Sequence, residues 1–238
     1  MGNTFICYDD FMEGLTEVET LLSLAKQSEK DSRKYSIFNR TSLLLLVSKF
    51  ECFLENLIEE YVYNIENLNV SADVLPESMK LHITNHAFND DFIVKLRKSK
   101  TSVIKAITEI IPIWNMDSTI SSLAINKKFD YGKHGAKAIQ KLFHRIGVED
   151  IFSLCPVYET KENLNKKDKI RVEVDIKVEI NSITNFRNII LHEDTPTSLT
   201  HNQIEIYRDR LVLFAGSLSL LLKKNKDSIA KKMTLKKK

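Results

Sequence analysis

Long apolar stripes at helical spacing constrain this chain more than any other feature. Between about Ile37 and Asn67, residues Leu43, Leu44, Val47, Phe50, Leu54, Leu57, Ile58 and Val62 recur at three- and four-residue steps. Glu51, Glu55, Glu59 and Glu60 mostly take the other faces. That period marks an amphipathic helix, and the width of the stripe predicts a central core helix. The same step carries Phe11, Leu15, Val18, Leu22 and Ala25 through a first helix, about Asp9 to Lys26, before the polar run Gln27–Arg33 breaks it. With only 6 Gly and 4 Pro in 238 residues, the chain has too few turn-makers for a many-stranded β fold. The expected class is mainly α, a helical bundle with long antiparallel helices.

Shorter helices are expected between Asn69 and Trp114. Pro76 is placed to open one, and Lys100–Ile111 forms another that ends near Pro112. Gly135–Arg145 reads as a basic amphipathic helix with Gly147 at its C-terminal cap. Beyond the polar, turn-like run Asn163–Lys169, residues Ile170, Val172, Val174, Ile176, Val178 and Ile180 alternate with charged residues. That pattern fits a strand pairing with Val157–Thr160, a small β-hairpin insertion around 157–178. It also fits a helix that has already begun near Ile176. A helix over about Glu179–His192 follows, then a loop Asp194–Ser198 with Pro196. Thr200 is the expected N-cap of a last helix, about His201–Lys224. The resulting organisation is one helical domain over 1–224, with a variable insertion about 153–178, and a basic C-terminal tail over 225–238.

The net charge of +3 is unevenly placed. Lys223–Lys238 holds eight Lys and one Asp, whereas the preceding 222 residues hold 27 basic and 31 acidic ones. A basic tail attracts polyanions without regard to sequence, or else is a solvated, frayed terminus. The longest apolar runs, Leu43–Val47 and Leu211–Leu222, are too short or too interrupted to span a bilayer. The first residues have no basic segment leading into an apolar run, so no signal peptide is expected. Cys7, Cys52 and Cys155 are scattered and odd in number, which suits a reducing cytoplasm and no disulfide framework.

Three groups of residues bear on chemistry. His82 and His86, four apart, are spaced to hold a metal from one helix face, but no further cluster completes a site. Surface or structural histidines are the competing reading. The basic residues Lys95, Arg97, Lys98, Lys100 and Lys105, with Lys133, Lys137, Lys141 and Arg145, either contact phosphates or form a solvated face. The third group is Arg187-Asn188-Ile189-Ile190-Leu191-His192, at the end of an apolar helix and just before an acidic loop. Arg187 and His192 are five residues apart, roughly 140° around a helix, whereas Asn188 and His192 share a face. Arginine grips phosphate oxygens with a permanent charge, and histidine gains or loses a proton near neutral pH. A histidine is also favoured at a helix C-terminus for purely electrostatic reasons.

Arg-Asn, three residues and His, closing one helix ahead of another long helix, resembles the signature of the HEPN superfamily, and more narrowly of the RiboL-PSP-HEPN group. The run Phe50-Glu51-Cys52-Phe53-Leu54-Glu55 resembles that family's early core helix. Gly135–Gly147 resembles the element ahead of the motif, and Thr200–Leu222 the closing helix. The likeness spans about residues 9–222 in order. It implies a helical, usually dimeric fold that cuts RNA without metal or other cofactor. Arg187 and His192 match the catalytic pair, Asn188 the polar residue after the arginine, and Glu51 an acidic residue that supports some such sites. The departure is Glu193-Asp194 after the histidine, where relatives often carry glycine, and it bears on affinity for RNA. The implied setting is a cytoplasmic toxin or phage-defence endoribonuclease, a homodimer, with a neutralising antitoxin or other defence-system protein as partner and no membrane. The other reading is a non-catalytic module that binds RNA, a nucleotide or a protein partner.

Overall fold

The computed structural model describes residues 5–88, 92, 94, 97, 99–130, 132–162, 169–193 and 198–236. They are mainly helical, with two small antiparallel sheets of two strands each. In chain order the elements are α1 (Ile6–Gln27), α2 (Ser32–Asn67), β1 (Val70–Ser71), a 3-10 turn, α3 (Glu77–Ala87), α4 (Lys100–Trp114) and β2 (Thr119–Ile120). There follow α5 (Ala136–His144), the single turn α6 (Ile151–Leu154), β3 (Val157–Glu162), β4 (Lys169–Val174), α7 (Ile176–His192) and α8 (His201–Lys236). No helix among the described residues is long and apolar enough to cross a membrane. The chain divides into two compact units. One comprises Met1–Leu57, Phe129–Ile139 and Ile151–Leu221, the other Ile58–Lys128, Gln140–Asp150 and Leu222–Lys238.

In the first unit the stripes of α1 and α2 meet. Phe11 stacks on Phe53 at 5.0 Å, and Phe214 of α8 packs on Phe50 at 6.5 Å and Phe152 at 5.6 Å. The helix α2 starts earlier than its apolar stripe, because Asp31 accepts from the Lys34 backbone N–H and caps the polar turn. Both readings of the alternating segment hold in part. Strand β4 pairs with β3 from Val157↔Val174 to Glu162↔Lys169. The insertion ends at Val174, not near residue 178, and α7 begins at Ile176 rather than Glu179. Asp175 makes the switch, its carboxylate accepting from the Val178 N–H at 3.1 Å. Arg210 of α8 clamps the hairpin to α7. It makes a two-pronged bond to Glu159 at 2.6 and 3.1 Å and an ion pair with Glu179 at 2.7 Å. The expected cap of α8 is present as a reciprocal box. Thr200 Oγ1 accepts from the Gln203 N–H at 3.3 Å, and Gln203 Oε1 accepts from the Thr200 N–H at 2.9 Å. The loop expected over Asp194–Ser198 falls mostly outside the described residues, and so do residues 163–168 of the run expected to turn, Asn163–Lys169.

In the second unit two expected boundaries move. The helix α4 runs through Pro112 to Trp114. A proline this near a helix end forfeits only its bond to the Thr108 carbonyl. Burial of Ile113 and the bond from Trp114 Nε1 to Thr84 Oγ1 at 2.8 Å hold the last residues. The helix α8 continues past Lys224 to Lys236. Ile229 on that continuation is buried, and Met233 Sδ accepts from the Ser71 N–H at 3.2 Å. The lysine-rich segment is therefore helical to Lys236 and partly packed, rather than frayed from residue 225; Lys237 and Lys238 lie outside the described residues.

The expected cap after α5 is a full C-terminal motif. Val148 N–H bonds to Phe143 O at 3.2 Å and Gly147 N–H to His144 O at 3.1 Å, with Gly147 at φ +84°. A Cβ at that glycine would come within 2.8 Å of Pro76 Cβ, ahead of α3. Gly147→Ala combines left-handed strain with a collision against a rigid ring. Chemical denaturation should register a loss of roughly 1–3 kcal/mol. A change below about 0.5 kcal/mol, the range of an ordinary surface substitution, would mean this close approach is not tight.

Candidate catalytic site

The C-terminal half of α7 carries the motif. Its buried arc is Ile176, Ile180, Ile183 and Ile190, and Asn181, Thr184, Asn188 and His192 share another arc at steps of three and four. Arg187 is half-buried, while Asn188 and His192 are exposed. Arg187 Nη1 donates to Asn188 Oδ1 at 3.1 Å, so the amide next in sequence steadies the guanidinium. His192 is the last residue of the helix, and Glu193 follows at the cap, its N–H bonded to Ile189 O at 3.0 Å.

The expected supporting acid, Glu51, is in the same unit and bonds to a residue outside the motif. His134 Nδ1 donates to Glu51 Oε1 at 2.7 Å, with side chains 22% and 25% exposed. Among the described residues, neither Arg187 nor His192 bonds to Glu51. Around this pair the segment before α5 is pinned at several points. Phe129 N–H donates to Glu55 Oε1 at 2.8 Å, and Ala136 N–H to Asn181 Oδ1 at 3.0 Å. Glu51 and Gly135 also line a small apolar cavity with Phe50, Ile180, Ile183 and Thr184, roomy enough for about one water and too small for a nucleobase.

His134 was not among the residues that the sequence singled out. The local signal was faint: Glu51 and Glu55 lie four apart and so can meet one loop, but their partners are about eighty residues away. The acidic residues of α2 are thus not all a solvated face.

The other sequence candidates resolve differently. His82 and His86 lie with rings nearly parallel, 6.4 Å apart, and no group of three His, Cys, Asp or Glu among the described residues could hold a metal. Arg145, expected within a basic surface, is 4% exposed and donates to the carbonyls of Asn126 and Lys128 at 3.1 and 2.6 Å. Lys133, Lys137 and Lys141 are exposed, whereas Lys95 and Lys98 lie outside the described residues. The three cysteines are free thiols.

The family model described as HEPN_MAE_28990-like HEPN matches residues 7–227. No curated protein and no solved structure matches the chain.

Burial, followed by the charges of Arg145, His86, His144 and Lys141, pushes the pKa of His82 down to about 4. Its unfolded value is near 6.5, so below that pH the unfolded chain takes a proton that the folded one refuses. Stability is therefore full above pH 6.5 and falls as the pH drops toward 4. His82→Gln should flatten that part of a plot of melting temperature against pH. Parallel wild-type and variant curves would show that His82 titrates alike in both states.

Proposed function

The chain belongs to the HEPN superfamily, and we propose that it is a metal-independent endoribonuclease in which Arg187 and His192 act on the RNA backbone. The observation that carries the reading is the half-buried Arg187, bonded to the Asn188 amide, near an exposed histidine at the helix end. RNA brings its own nucleophile. Removal of the 2′ proton lets O2′ bond to phosphorus while the bond from phosphorus to O5′ breaks. The leaving oxygen then takes up a proton. His192 serves as one of the proton-transfer groups. Arg187 stabilises the charge that builds on the non-bridging oxygens, and Asn188 steadies its guanidinium. The products are a 2′,3′-cyclic phosphate and a 5′-hydroxyl.

The resemblance to HEPN nucleases implies a homodimer, in which a second copy completes each site. Light scattering that returned only monomer at micromolar concentration would contradict the dimer. The matched family carries the superfamily assignment. The narrower likeness to the RiboL-PSP-HEPN group rests on the order of the sequence runs alone. A cytoplasmic toxin or phage-defence role, with an antitoxin or another defence-system protein as partner, belongs to the same proposal. Glu193, directly after His192, favours the second reading, a module that binds RNA, a nucleotide or a protein without cutting.

Incubation with mixed RNAs, with and without chelator, separates these readings. His192→Ala should lower the cleavage rate on the order of 10²–10⁴-fold. Because His192 is exposed, that change should shift stability by less than about 0.5 kcal/mol. Arg187→Ala should also abolish cleavage, and chelator should not. Cleavage that survives both substitutions, or that chelator stops, rules out this mechanism. Binding without cleavage by the wild type supports the module instead.

The lysine-rich end of α8 should add affinity rather than chemistry. Truncation is a poor test, because it removes the buried Ile229. Lys231→Gln with Lys232→Gln alters two exposed charges and leaves the packed face intact. RNA binding should weaken, and the slope of log affinity against log salt should fall by about 1.4 on single strands. An unchanged slope would remove these lysines from the interface.

A further inference from the structure

Cleavage by the 2′-hydroxyl needs two proton transfers, one from O2′ and one to O5′. The helix α7 offers one histidine in its motif. The arc between Arg187 and His192 carries Asn181, Thr184 and Asn188. The segment before α5 sits on that arc, with Ala136 N–H bonded to Asn181 Oδ1 at 3.0 Å. A Cβ added at Gly135 would lie 3.1 Å from Asn181 Oδ1 and 3.6 Å from Thr184 Oγ1. His134 is the next residue back, and Thr184 precedes Arg187 by three residues, roughly 4.5 Å along the axis. The dyad of His134 with Glu51 thus lies directly before the residues that meet Asn181 and Thr184 of α7, the latter three residues ahead of the arginine.

We propose that His134, oriented by Glu51, is a second acid–base residue of the RNA-cleaving site. The proposal rests on the endoribonuclease reading above. A carboxylate on Nδ1 fixes the tautomer, leaves the Nε2 lone pair available and stabilises the imidazolium once Nε2 takes a proton. His134 Nε2 accepts the 2′ proton as O2′ bonds to phosphorus. The His192 of a second copy gives its proton to O5′ as that bond breaks, because the protomer's own His192 lies eight residues, roughly 12 Å, beyond Thr184 along α7, and exchange with water resets both rings.

The test is single-turnover cleavage of mixed RNA by the 238-residue chain and its variants. His134→Ala should cut on the order of 10²–10⁴-fold more slowly, and added imidazole should restore activity at least about tenfold. Imidazole should not rescue Arg187→Ala. Glu51→Gln should slow cleavage about tenfold with KM for RNA unchanged, because it disturbs orientation rather than binding. Full activity in His134→Ala overturns the proposal. So does a loss that imidazole does not repair while His134→Gln, which can still bond to Glu51, remains active, since the ring would then be a structural pin. A wild type that cuts no RNA defeats both proposals, whereas an active wild type with an active His134→Ala defeats this one alone.

Discussion

The phase of α7 is the constraint on which the rest of the candidate site depends. At 3.6 residues per turn, one helix must bury Ile176, Ile180, Ile183 and Ile190 and offer Glu179 to Arg210. It must also present Asn181 to the backbone ahead of α5 and leave His192 in solvent at its end. A slip of one residue would turn every side chain by about 100° and break these matches together. Asp175 fixes the phase from the start of the helix, and the Arg210 clamp secures it one turn later.

The second organising feature is where irregular backbone finds its hydrogen bonds. The described residues of 121–135 form no helix or strand, yet several are buried, so their N–H groups need partners. The helix α2 supplies them from carboxylates that looked like solvating residues. Glu55 receives the N–H of Phe129 in the first unit, and Glu66 receives that of Leu123 in the second at 2.7 Å. Such bonds to a charged acceptor are each worth roughly 1.5–3 kcal/mol. They give the segment a fixed path in place of the ladder that a strand would have provided, and His134 inherits its position from that path.

This explains what the sequence disclosed and what it withheld. Periodicity located α1, α2, α7 and α8 because burial of a helix face repeats locally. Asp175, Thr200 and Gly147 acted as boundaries because caps are local too. The polar start of α2 and the continuation of α8 were obscured for one reason: neither changes the helix, only what the helix faces. Pro112 was misleading because position within the last turn, not proline itself, decides its cost. Arg187, Asn188 and His192 were legible as a motif within six residues. The link of Glu51 to His134 was not, because it joins residues 83 apart through the packing of a segment with no regular structure.

Three arginines show how the surroundings of a guanidinium separate scaffold from site. Arg145 is 4% exposed and spends its donors on two backbone carbonyls. Arg210 is taken up by the carboxylates of Glu159 and Glu179. Both are satisfied within the chain, as burial of a full charge demands. Arg187 is half-buried as well, yet the described residues give it one bond, to the neutral amide of its own neighbour. A guanidinium has five N–H donors, so this bond uses a small part of its capacity. Partial desolvation makes that residual charge more receptive to an anion than a fully hydrated arginine would be, because the field is less screened. A phosphate diester has the planar pairs of oxygens and the negative charge that such a fork accepts. Among the described residues Arg187 is thus the less satisfied of the three, which supports the phosphate-holding role proposed for it and sets it apart from the two arginines that hold the fold together.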